Sequence, residues 1–393
     1  MFYFVSFPIL KLIAHLYQYD EAFASPQRCD DHPILIHAAS VGEVNAVAAL
    51  LNQLDKEGYP LYLNTVTITG KAIAKKEFPN LEVRLAPIDV WHLRKQQMRL
   101  LQPRLILVVE TEIWPNMLYA ASRYRIPVLF INARISQRSL GRYKKLSGFI
   151  ALVGSSIRGV LAQSKEDQER FQQLFKVPVK TAGNLKFCLD LKHYDLNQTR
   201  AEFGFSPQDF ILCWGSSRPG EEELMLSIYP FLKQKIKDFK LILAPRHPKR
   251  CMDLKKVLSA YKYSMLSDLG ANPDHDVLII DSLGHLTAAY AISDLVVVGG
   301  SFFDFGGHNP LEPAFYAKAI IMGEYYSSCK ESVLQLKSRD AIKLSNPRLL
   351  KDDILSLAQN PLQIKEMGKR AKLVLTDNSS ALNDHIRGIK SCL

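Results

Sequence analysis

Cysteine is scarce and scattered in this chain of 393 residues. Its six cysteines form no C-x-x-C pair and no evenly spaced ladder, which argues against a disulfide framework and against a zinc site. Low-complexity stretches are also absent, and 47% of the residues are apolar. This composition indicates a folded globular protein of a reducing compartment, and the length favours two domains.

Acidic residues are missing between Ile113 and Ser164, although the whole chain carries 39 of them against 50 basic residues. Such a stretch is either a solvated surface or a site for an anionic partner. No zinc-finger spacing, RNP-type motif or basic heptad region is present, so we do not expect nucleic acid as the partner. Phosphorylated lipid headgroups or sugar phosphates fit better. The basic residues of this stretch are Arg123, Arg125, Arg134, Arg138, Arg142, Lys144, Lys145 and Arg158.

Long apolar runs are lacking as well. The most apolar segment, Phe2–Tyr17, is interrupted by Pro8, Lys11 and His15 and is short for a transmembrane helix, which needs about 20 residues. No clear cleavage site for a secretory signal follows it. Aromatic residues around a short apolar segment are typical of a helix at a bilayer surface. We therefore predict a membrane-associating helix within residues 1–19, the alternative being a helix packed on its own domain.

The chain has no G-x-G-x-x-G after its first strands and no G-x-x-x-x-G-K-[ST], which argues against Rossmann dehydrogenases and P-loop nucleotidases. Instead, short apolar runs such as PILIHAA and RLILVVE alternate with segments of helical period, and the alternation restarts after a polar stretch around Leu191–Gln208. This pattern is typical of parallel sheets covered on both faces. We predict two doubly wound α/β domains, over residues 20–195 and 196–393, with the last helices packing back on the first domain.

Ligands of open parallel sheets bind outside the carboxyl ends of the strands, and two facing domains would place both sets of loops around one cleft. In the loop after the first strand, Ser40 and Glu43 have the spacing of a capping box, which stabilises a helix N-terminus. The alternative is that Glu43 is a general base and that Gly42 leaves room for a ligand.

Two further loops of the first half carry charged residues at strand ends. Glu110 and Glu112 follow the strand RLILVVE and could orient hydroxyl groups or cap the next helix. Arg134 and Arg138 follow the strand PVLFINA and could bind a phosphate or lie in solvent.

In the second half, Arg246 closes a strand, and the segment GGSFFDFGGHNPLE (Gly299–Glu312) connects another strand to a helix. Glycines there allow backbone amides to face an anion, and the following helix would add its positive end. Glu312 could accept hydroxyls of a ribose. A tight turn with a helix-starting proline is the alternative, but the glycines, serine, His308 and Asn309 exceed what a turn requires. We predict a nucleotide site in this segment.

Eight motifs occur in the order SVGE (Ser40–Glu43), TVTITG (Thr65–Gly70), ETEIWPN (Glu110–Asn116), NARIS (Asn132–Ser136), GNLKF (Gly183–Phe187), GSSRPGEEE (Gly215–Glu223), PRHP (Pro245–Pro248) and GGSF…GGHNPLEP (Gly299–Pro313). In this combination the chain resembles the 3-deoxy-D-manno-octulosonic acid (Kdo) transferases of lipopolysaccharide biosynthesis. The resemblance implies a GT-B glycosyltransferase fold, a membrane-associated N-terminal acceptor domain and a C-terminal domain that binds the donor CMP-Kdo. The chain departs from the family at Cys188, where an acidic residue is common.

The resemblance also implies an inverting transfer of Kdo from CMP-Kdo to a hydroxyl of a lipid A precursor of the lipid IVA type. Glu43 matches the family's general base. Arg246 and amides near Gly307–Asn309 would stabilise departing CMP in place of a metal, and Glu312 would hold the ribose. The donor-binding candidates are Ser216, Ser217, Arg246, His247, Gly300, Ser301, Gly307, His308, Asn309 and Glu312. The acceptor- or substrate-orienting candidates are Gly42, Glu110, Glu112, Arg134 and Lys186.

No cofactor and no metal site are expected. The one D-x-D motif, Asp274-His275-Asp276, precedes a strand and so lies away from the loops that bind ligands. The expected partners are CMP-Kdo, a lipid A precursor and the anionic surface of the bacterial inner membrane on its cytoplasmic face, and we expect a monomer. The alternatives are a membrane-associated GT-B transferase that uses a UDP-sugar on a lipid acceptor, and a non-catalytic sugar-nucleotide binder.

Overall fold

A computed structural model describes residues 20–23, 31–145, 148, 154–270 and 273–393. It divides into an N-terminal unit, Met1–Cys188 together with Asn378–Leu393, and a C-terminal unit, Leu189–Asp377. The first division thus falls after Cys188, somewhat before the boundary at residue 195 that the sequence suggests. The helix predicted within residues 1–19 lies outside the described residues.

The described part of the N-terminal unit is built on one parallel sheet. Its strands are β1 (Ile34–His37), β2 (Leu61–Thr65), β3 (Glu82–Leu85), β4 (Leu105–Val109), β5 (Val128–Ala133), β6 (Ile157–Ala162) and β7 (Val179–Thr181). The strand order is β3-β2-β1-β4-β5-β6-β7. The direction of winding therefore reverses between β1 and β4, and the loops after these two strands flank the position where doubly wound sheets bind ligands.

Helices cover this sheet, and several begin at a serine or threonine whose side chain accepts a hydrogen bond from a backbone amide three residues later. These capping residues are Ser40, Thr67, Ser136 and Ser164, and such caps satisfy amides that a helix leaves unpaired. The helices before the C-terminal unit are α1 (Val41–Ala46), α2 (Ala48–Lys56), α3 (Ile68–Glu77), α4 (Trp91–Leu101), α5 (Pro115–Arg123), α6 (Gln137–Lys144) and α7 (Lys165–Gln172).

The C-terminal unit repeats this plan. Its described strands are β8 (Phe210–Ser217), β9 (Phe239–Pro245), β10 (Tyr263–Met265), β11 (Val277–Ile279), β12 (Leu295–Val298), β13 (Ala319–Met322) and β14 (Lys343–Leu344). They form a parallel sheet in the order β10-β11-β9-β8-β12-β13-β14. Here the winding reverses between β8 and β12, so the loops after β8 and β12 flank the expected ligand position.

Two helical layers enclose this second sheet around a core that includes the fully buried Trp214 and Phe239. The helices are α8 (Leu196–Glu202), α9 (Glu221–Lys235), α10 (Cys251–Leu258), α11 (Leu286–Ile292), α12 (Leu311–Phe315), α13 (Lys330–Lys337), α14 (Leu350–Ala358) and α15 (Pro361–Thr376). No helix within the described ranges combines the length and the hydrophobicity needed to cross a bilayer.

The last helix, α16 (Ser380–Lys390), returns to the N-terminal unit. The buried His385 fixes it there: its Nε2 accepts the amide of Asn132 at 2.9 Å, and its Nδ1 donates to the carbonyl of Ala381 at 2.7 Å. Burial lowers the pKa of His385 to about 4, which keeps the ring neutral and able to accept. The last helix therefore completes the first unit although the C-terminal unit separates the two in sequence.

Candidate functional site

The loops after β1 and β4 bring together the predicted carboxylates of the N-terminal unit. Glu43 lies in α1, one short loop beyond β1, and Glu110 and Glu112 follow β4 directly. Both acidic loop residues act electrostatically on Glu43. Backbone strain marks the same place, because Glu110 has φ +57°, a left-handed conformation that is uncommon for a residue with a side chain.

Glu43 is 8% exposed and is held by its own loop. Its Oε2 accepts the amide of Ala39 at 2.7 Å, and its Oε1 accepts the hydroxyl of Ser40 at 3.1 Å. Ser40 caps α1 as predicted, but the carboxylate reaches the amide of Ala39 and not that of Ser40. Burial, reinforced by the charges of Glu112 and Glu110, raises the pKa of Glu43 to about 7. A carboxylate with a pKa near neutrality is suited to accept a proton.

The two neighbouring carboxylates have different partners. Glu110 pairs with the exposed Arg134, whose Nε lies 2.9 Å from Oε2 of Glu110. Glu112 accepts a hydrogen bond from the indole Nε1 of Trp114 at 2.6 Å. This ion pair holds Arg134 next to Glu110. The sequence alone did not indicate the pairing.

Gly42 is part of the helix that carries Glu43, and Lys186 lies in a turn that contacts this helix. Gly42 is exposed, and a Cβ at this position would meet only the hydroxyl of Ser40, at 3.8 Å. Lys186 belongs to the turn Leu185–Phe187, which packs against α1. The side chain of Asn132 accepts the amide of Leu185 at 3.0 Å and so fixes this turn to the end of β5.

Cys188 is the last residue of the first of the two chain segments that form the N-terminal unit. Its thiol donates to the carbonyl of Asn378 at 3.4 Å, where the chain re-enters that unit. Burial raises the pKa of the thiol. This environment favours the protonated form and gives Cys188 a packing role.

In the C-terminal unit, the buried Glu221 joins the two loops at the reversal of the sheet. It lies at the start of α9 and accepts four backbone amides at 2.8–3.0 Å. Burial raises its pKa, and these hydrogen bonds act against the rise. The amides come from Arg218, Gly300, Ser301 and Phe302.

Several amides of the glycine-rich segment, which the sequence predicts to face an anion, have partners within the protein. The amides of Gly300 and Ser301 are bound to Glu221. Those of Gly307 and His308 are bound to the carbonyls of Gly300 and Gly299, at 2.7 and 3.2 Å. The helix that follows this segment, α12, has five residues.

Ser217 and Ser301 are likewise part of the framework. Ser217 is fully buried and donates to Glu222 at 2.7 Å. Ser301, also fully buried, donates to the carbonyl of Val298 and accepts the amide of Gly323. Both hydroxyls thus have partners within the protein, and their predicted place in the donor site stays a prediction. Ser216, with φ +58°, sits at the end of β8.

Cationic side chains gather at the same loops. Arg218 contacts Nε2 of His308 at 3.3 Å and Nε2 of His247 at 2.9 Å, and its guanidinium lies 5.5 Å from the ring centre of Phe305. The amide of Arg246 donates to the carbonyl of Ser217, which brings the exposed Arg246 to this place. Burial, with the charges of Arg218 and Arg246, lowers the pKa of His308 to about 4.

Glu312 and Asn309 complete the cluster. Burial raises the pKa of Glu312 to about 6, while a hydrogen bond from Asn309 and the charge of Arg246 oppose the rise. The hydroxyl of the buried Tyr290 lies close enough to Gly215 to exclude any side chain there. The structure thus brings together five predicted donor-site residues: Arg246, His247, His308, Asn309 and Glu312.

Both aspartates of the D-x-D motif form ion pairs with lysines. Asp276 pairs with Lys233 at 2.8 Å and with Lys240 at 2.9 Å, and Asp274 pairs with Lys262. Across the described residues, no group of three or more His, Cys, Asp or Glu side chains could hold a metal ion.

The sequence interpretation missed several residues of both sites. Arg218 and Glu221 lie within the motif GSSRPGEEE. Their position just after a strand could have indicated that they belong to the site. Trp114 lies within ETEIWPN, and its ring contacts the buried Arg94 and His37. Nothing in the sequence marks Arg94, because it reads as one of many basic residues on a helix.

Residues 16–189 match the family model described as 3-deoxy-D-manno-octulosonic-acid transferase (kdotransferase). A 3-deoxy-D-manno-octulosonic acid transferase of Haemophilus influenzae is 31% identical over 369 residues, which cover 89% of this chain and 84% of that protein. A bifunctional glycosyltransferase/methyltransferase of Fusobacterium nucleatum is 32% identical over 314 residues, 75% of this chain and 48% of the relative. The chain therefore spans about half the length of that relative.

Among solved structures, the UDP-GlcNAc 2-epimerase of Neisseria meningitidis bound to UDP-GlcNAc aligns with a TM-score of 0.58 at 13% identity, covering 90% of this chain and 100% of that one. At this identity the likeness shows the fold alone. The predicted fold class, two Rossmann-like α/β domains of the GT-B type, is confirmed.

Proposed function

The chain belongs to the 3-deoxy-D-manno-octulosonic acid (Kdo) transferase family, and on this premise we propose that it moves Kdo from CMP-Kdo to a hydroxyl of a lipid A precursor. It is a glycosyltransferase. The observation that carries the proposal is the buried Glu43, which the N-terminal unit holds by two hydrogen bonds with a pKa of about 7.

Glu43 acts as the general base. The acceptor hydroxyl gives its proton to the carboxylate as its oxygen forms a bond to the anomeric carbon of Kdo. The bond from that carbon to the phosphate oxygen of CMP breaks, and CMP leaves with the electron pair. Attack on the face opposite to CMP inverts the configuration. The single amide and single hydroxyl that Glu43 accepts leave lone pairs for the proton.

The C-terminal unit holds the donor. Arg246 and Arg218 approach His308, and two guanidinium groups offer strong charge-assisted hydrogen bonds to a phosphate. The burial of Glu312 next to Asn309 suits a carboxylate that accepts ribose hydroxyls. His247 and Asn309 add polar groups to this site.

The transfer requires no metal in this proposal. A phosphate leaving group needs positive charge in the transition state, and the Arg218–Arg246 pair supplies it. To test this, turnover is measured after a chelator has removed divalent metal ions, and the binding of CMP is measured without added metal.

The acceptor is a phosphorylated lipid at an anionic membrane surface. All eight basic side chains of the acid-free stretch are exposed, and basic groups near a membrane attract anionic headgroups. We place the protein at the cytoplasmic face of the bacterial inner membrane, with Glu110, Glu112, Arg134 and Lys186 orienting the acceptor or the sugar carboxylate.

Two measurements test this function. The protein is incubated with CMP-Kdo and a tetraacylated lipid A precursor, and the products are weighed by mass spectrometry; their mass gives the number of Kdo groups added. Thermal stabilisation by CMP and not by UDP supports the donor assignment. Stabilisation by UDP alone would favour a transferase of UDP-sugars, and stabilisation without turnover would favour a non-catalytic binder.

A further inference from the structure

Trp114 occupies a constrained position between the two acidic loop residues and α5. The following Pro115 restricts its backbone to an extended conformation, and the observed values are φ −100° and ψ 104°. Its indole Nε1 donates to Oε2 of Glu112 at 2.6 Å. The direction of the Glu112 carboxylate therefore depends on where the indole lies.

The indole is itself held by two buried groups. The guanidinium carbon of Arg94 lies 5.1 Å from the Trp114 ring centre, a cation–π distance. The His37 ring contacts the indole edge-on, with ring centres 5.1 Å apart and planes at 71°. Both Arg94 and His37 are fully buried, so neither is placed to touch a substrate.

Arg94 is anchored in turn by its neighbours. Its Nη1 donates to Gln97 at 2.9 Å, and its Nε lies 3.3 Å from Asp89. Asp89 accepts the amides of Asn116 and Met117 at 2.9 Å each, which are the first unpaired amides of α5. One carboxylate thus fixes both the helix that follows Trp114 and the cation that packs on its ring.

We propose that Trp114 is a positioning residue for the transfer: held by Arg94 and His37, it fixes the carboxylate of Glu112, one of the charged groups that act on the base Glu43. This rests on the proposed role of Glu43. The charged groups of the loop after β4 that act on Glu43 are Glu112 and Glu110, the latter paired with Arg134. Lys186 lies in the turn packed on α1, and Tyr143 of α6 interacts electrostatically with Glu112.

The test is Trp114→Phe, which keeps an aromatic ring at this position but removes the Nε1 donor. Without that hydrogen bond the Glu112 charge is free to turn towards solvent, and its repulsion of Glu43 falls. We expect kcat about tenfold lower, since small misplacements at an active site cost one to two orders of magnitude. The acidic limb of the pH–rate profile should move to lower pH, while the donor KM is unchanged.

Glu112→Gln should move the limb in the same direction, and the double variant should add nothing to it. Trp91→Phe is the matched control, because Trp91 packs on Tyr119 at a ring distance of 5.1 Å and begins α4, so it is not part of the loop that carries Glu112. This control should leave the limb in place. Additive effects, or a lower kcat with an unmoved limb, would show a merely structural role and overturn the proposal.

A readout independent of turnover separates this inference from the proposed function. In the full-length protein with 13C-labelled glutamate side chains, the Glu43 signal is assigned by its loss in Glu43→Gln and titrated by NMR. Trp114→Phe should lower the titration midpoint of Glu43. A lowered midpoint in a protein that transfers no Kdo would overturn the function and leave the positioning intact. An unchanged midpoint overturns the positioning itself.

Discussion

Glu43 and Glu221 occupy corresponding places in the two units, since each lies in the first helix after the strand at which its sheet reverses. Burial raises the pKa of both. Glu43 accepts one amide and one hydroxyl, whereas Glu221 accepts four amides. A glutamate at this place can thus keep lone pairs that are free to accept a proton, or it can use all of them to hold backbone amides. The two glutamates differ in the number of hydrogen bonds that they already accept.

The largest effect is expected for Glu43→Gln. Glutamine can still accept the amide of Ala39 but cannot take a proton, so transfer should fall at least a hundredfold, the lower end of what a general base contributes (roughly 10²–10⁴-fold). The rate is measured in single turnovers and CMP binding by calorimetry. Glu77→Gln is the matched control, because desolvation also raises the pKa of Glu77, while the side chain is exposed and lies outside both sites. Retention of more than about a tenth of the rate would remove Glu43 from the role of base.

Glu221→Ala tests whether this carboxylate, unlike that of Glu43, mainly stabilises the fold. It leaves four amides without an acceptor, at about 1–3 kcal/mol for each that stays unpaired, so we expect a loss of stability on the order of 3 kcal/mol. The unfolding of the C-terminal unit can be followed by NMR of 5-fluorotryptophan at Trp214, its single tryptophan. Glu223→Ala removes only the exposed acceptor of the Gly220 amide and serves as the control. Equal losses would contradict a special role for Glu221.

Arg246→Gln should weaken CMP binding about tenfold, the equivalent of 1.4 kcal/mol, because it removes one charge-assisted contact to the phosphate. The binding of CMP and cytidine is compared by calorimetry at two salt concentrations. Only CMP binding should respond. Lys249→Gln, an exposed cation three residues further on, is the control, and an equal response there would mean that general charge and not the site attracts the nucleotide.

The pH dependence of stability offers a finer comparison. The pKa of Glu43 is about 7 in the folded protein against 4.5 for the ordinary group. Its protonated form is thus favoured by folding, and this contribution is complete below pH 4.5 and is lost as the pH rises through 7. The stability of Glu43→Gln relative to the native chain should therefore rise over that range, by ~1–3 kcal/mol at pH 8. Denaturant unfolding at several pH values checks this, and a constant difference would contradict the raised pKa.

The smallest effect is expected for Gly42→Ala. The position is open and helical, so alanine should raise the stability of α1 by a few tenths of a kcal/mol up to about 1 kcal/mol. If the acceptor approaches Glu43 over this glycine, the KM for the lipid rises several-fold while the melting temperature does not fall. An unchanged acceptor KM would remove Gly42 from the site.

Much of the fold could be predicted because short strands buried on both faces read as apolar runs, as in LILVV before Glu110. The Ser40 cap was predictable for a similar reason, since it depends on residues three apart. The partners of the Gly300 and Ser301 amides could not be predicted, because Glu221, about 80 positions away, reaches them only after β8 and β12 become neighbours. The burial of Arg94 could not be predicted from the sequence, because it depends on how α4 packs against the sheet.

The sequence by itself determined two doubly wound α/β domains, the helix caps and the residue types at the strand ends, because these depend on local periodicity and on neighbours within a few positions. Only the tertiary structure decided which strand ends meet, that Glu43 keeps a free lone pair while Glu221 does not, and that His385 is the residue that holds α16 to the first unit. Those outcomes depend on burial and on hydrogen bonds between distant residues, and both quantities exist only once the chain is packed.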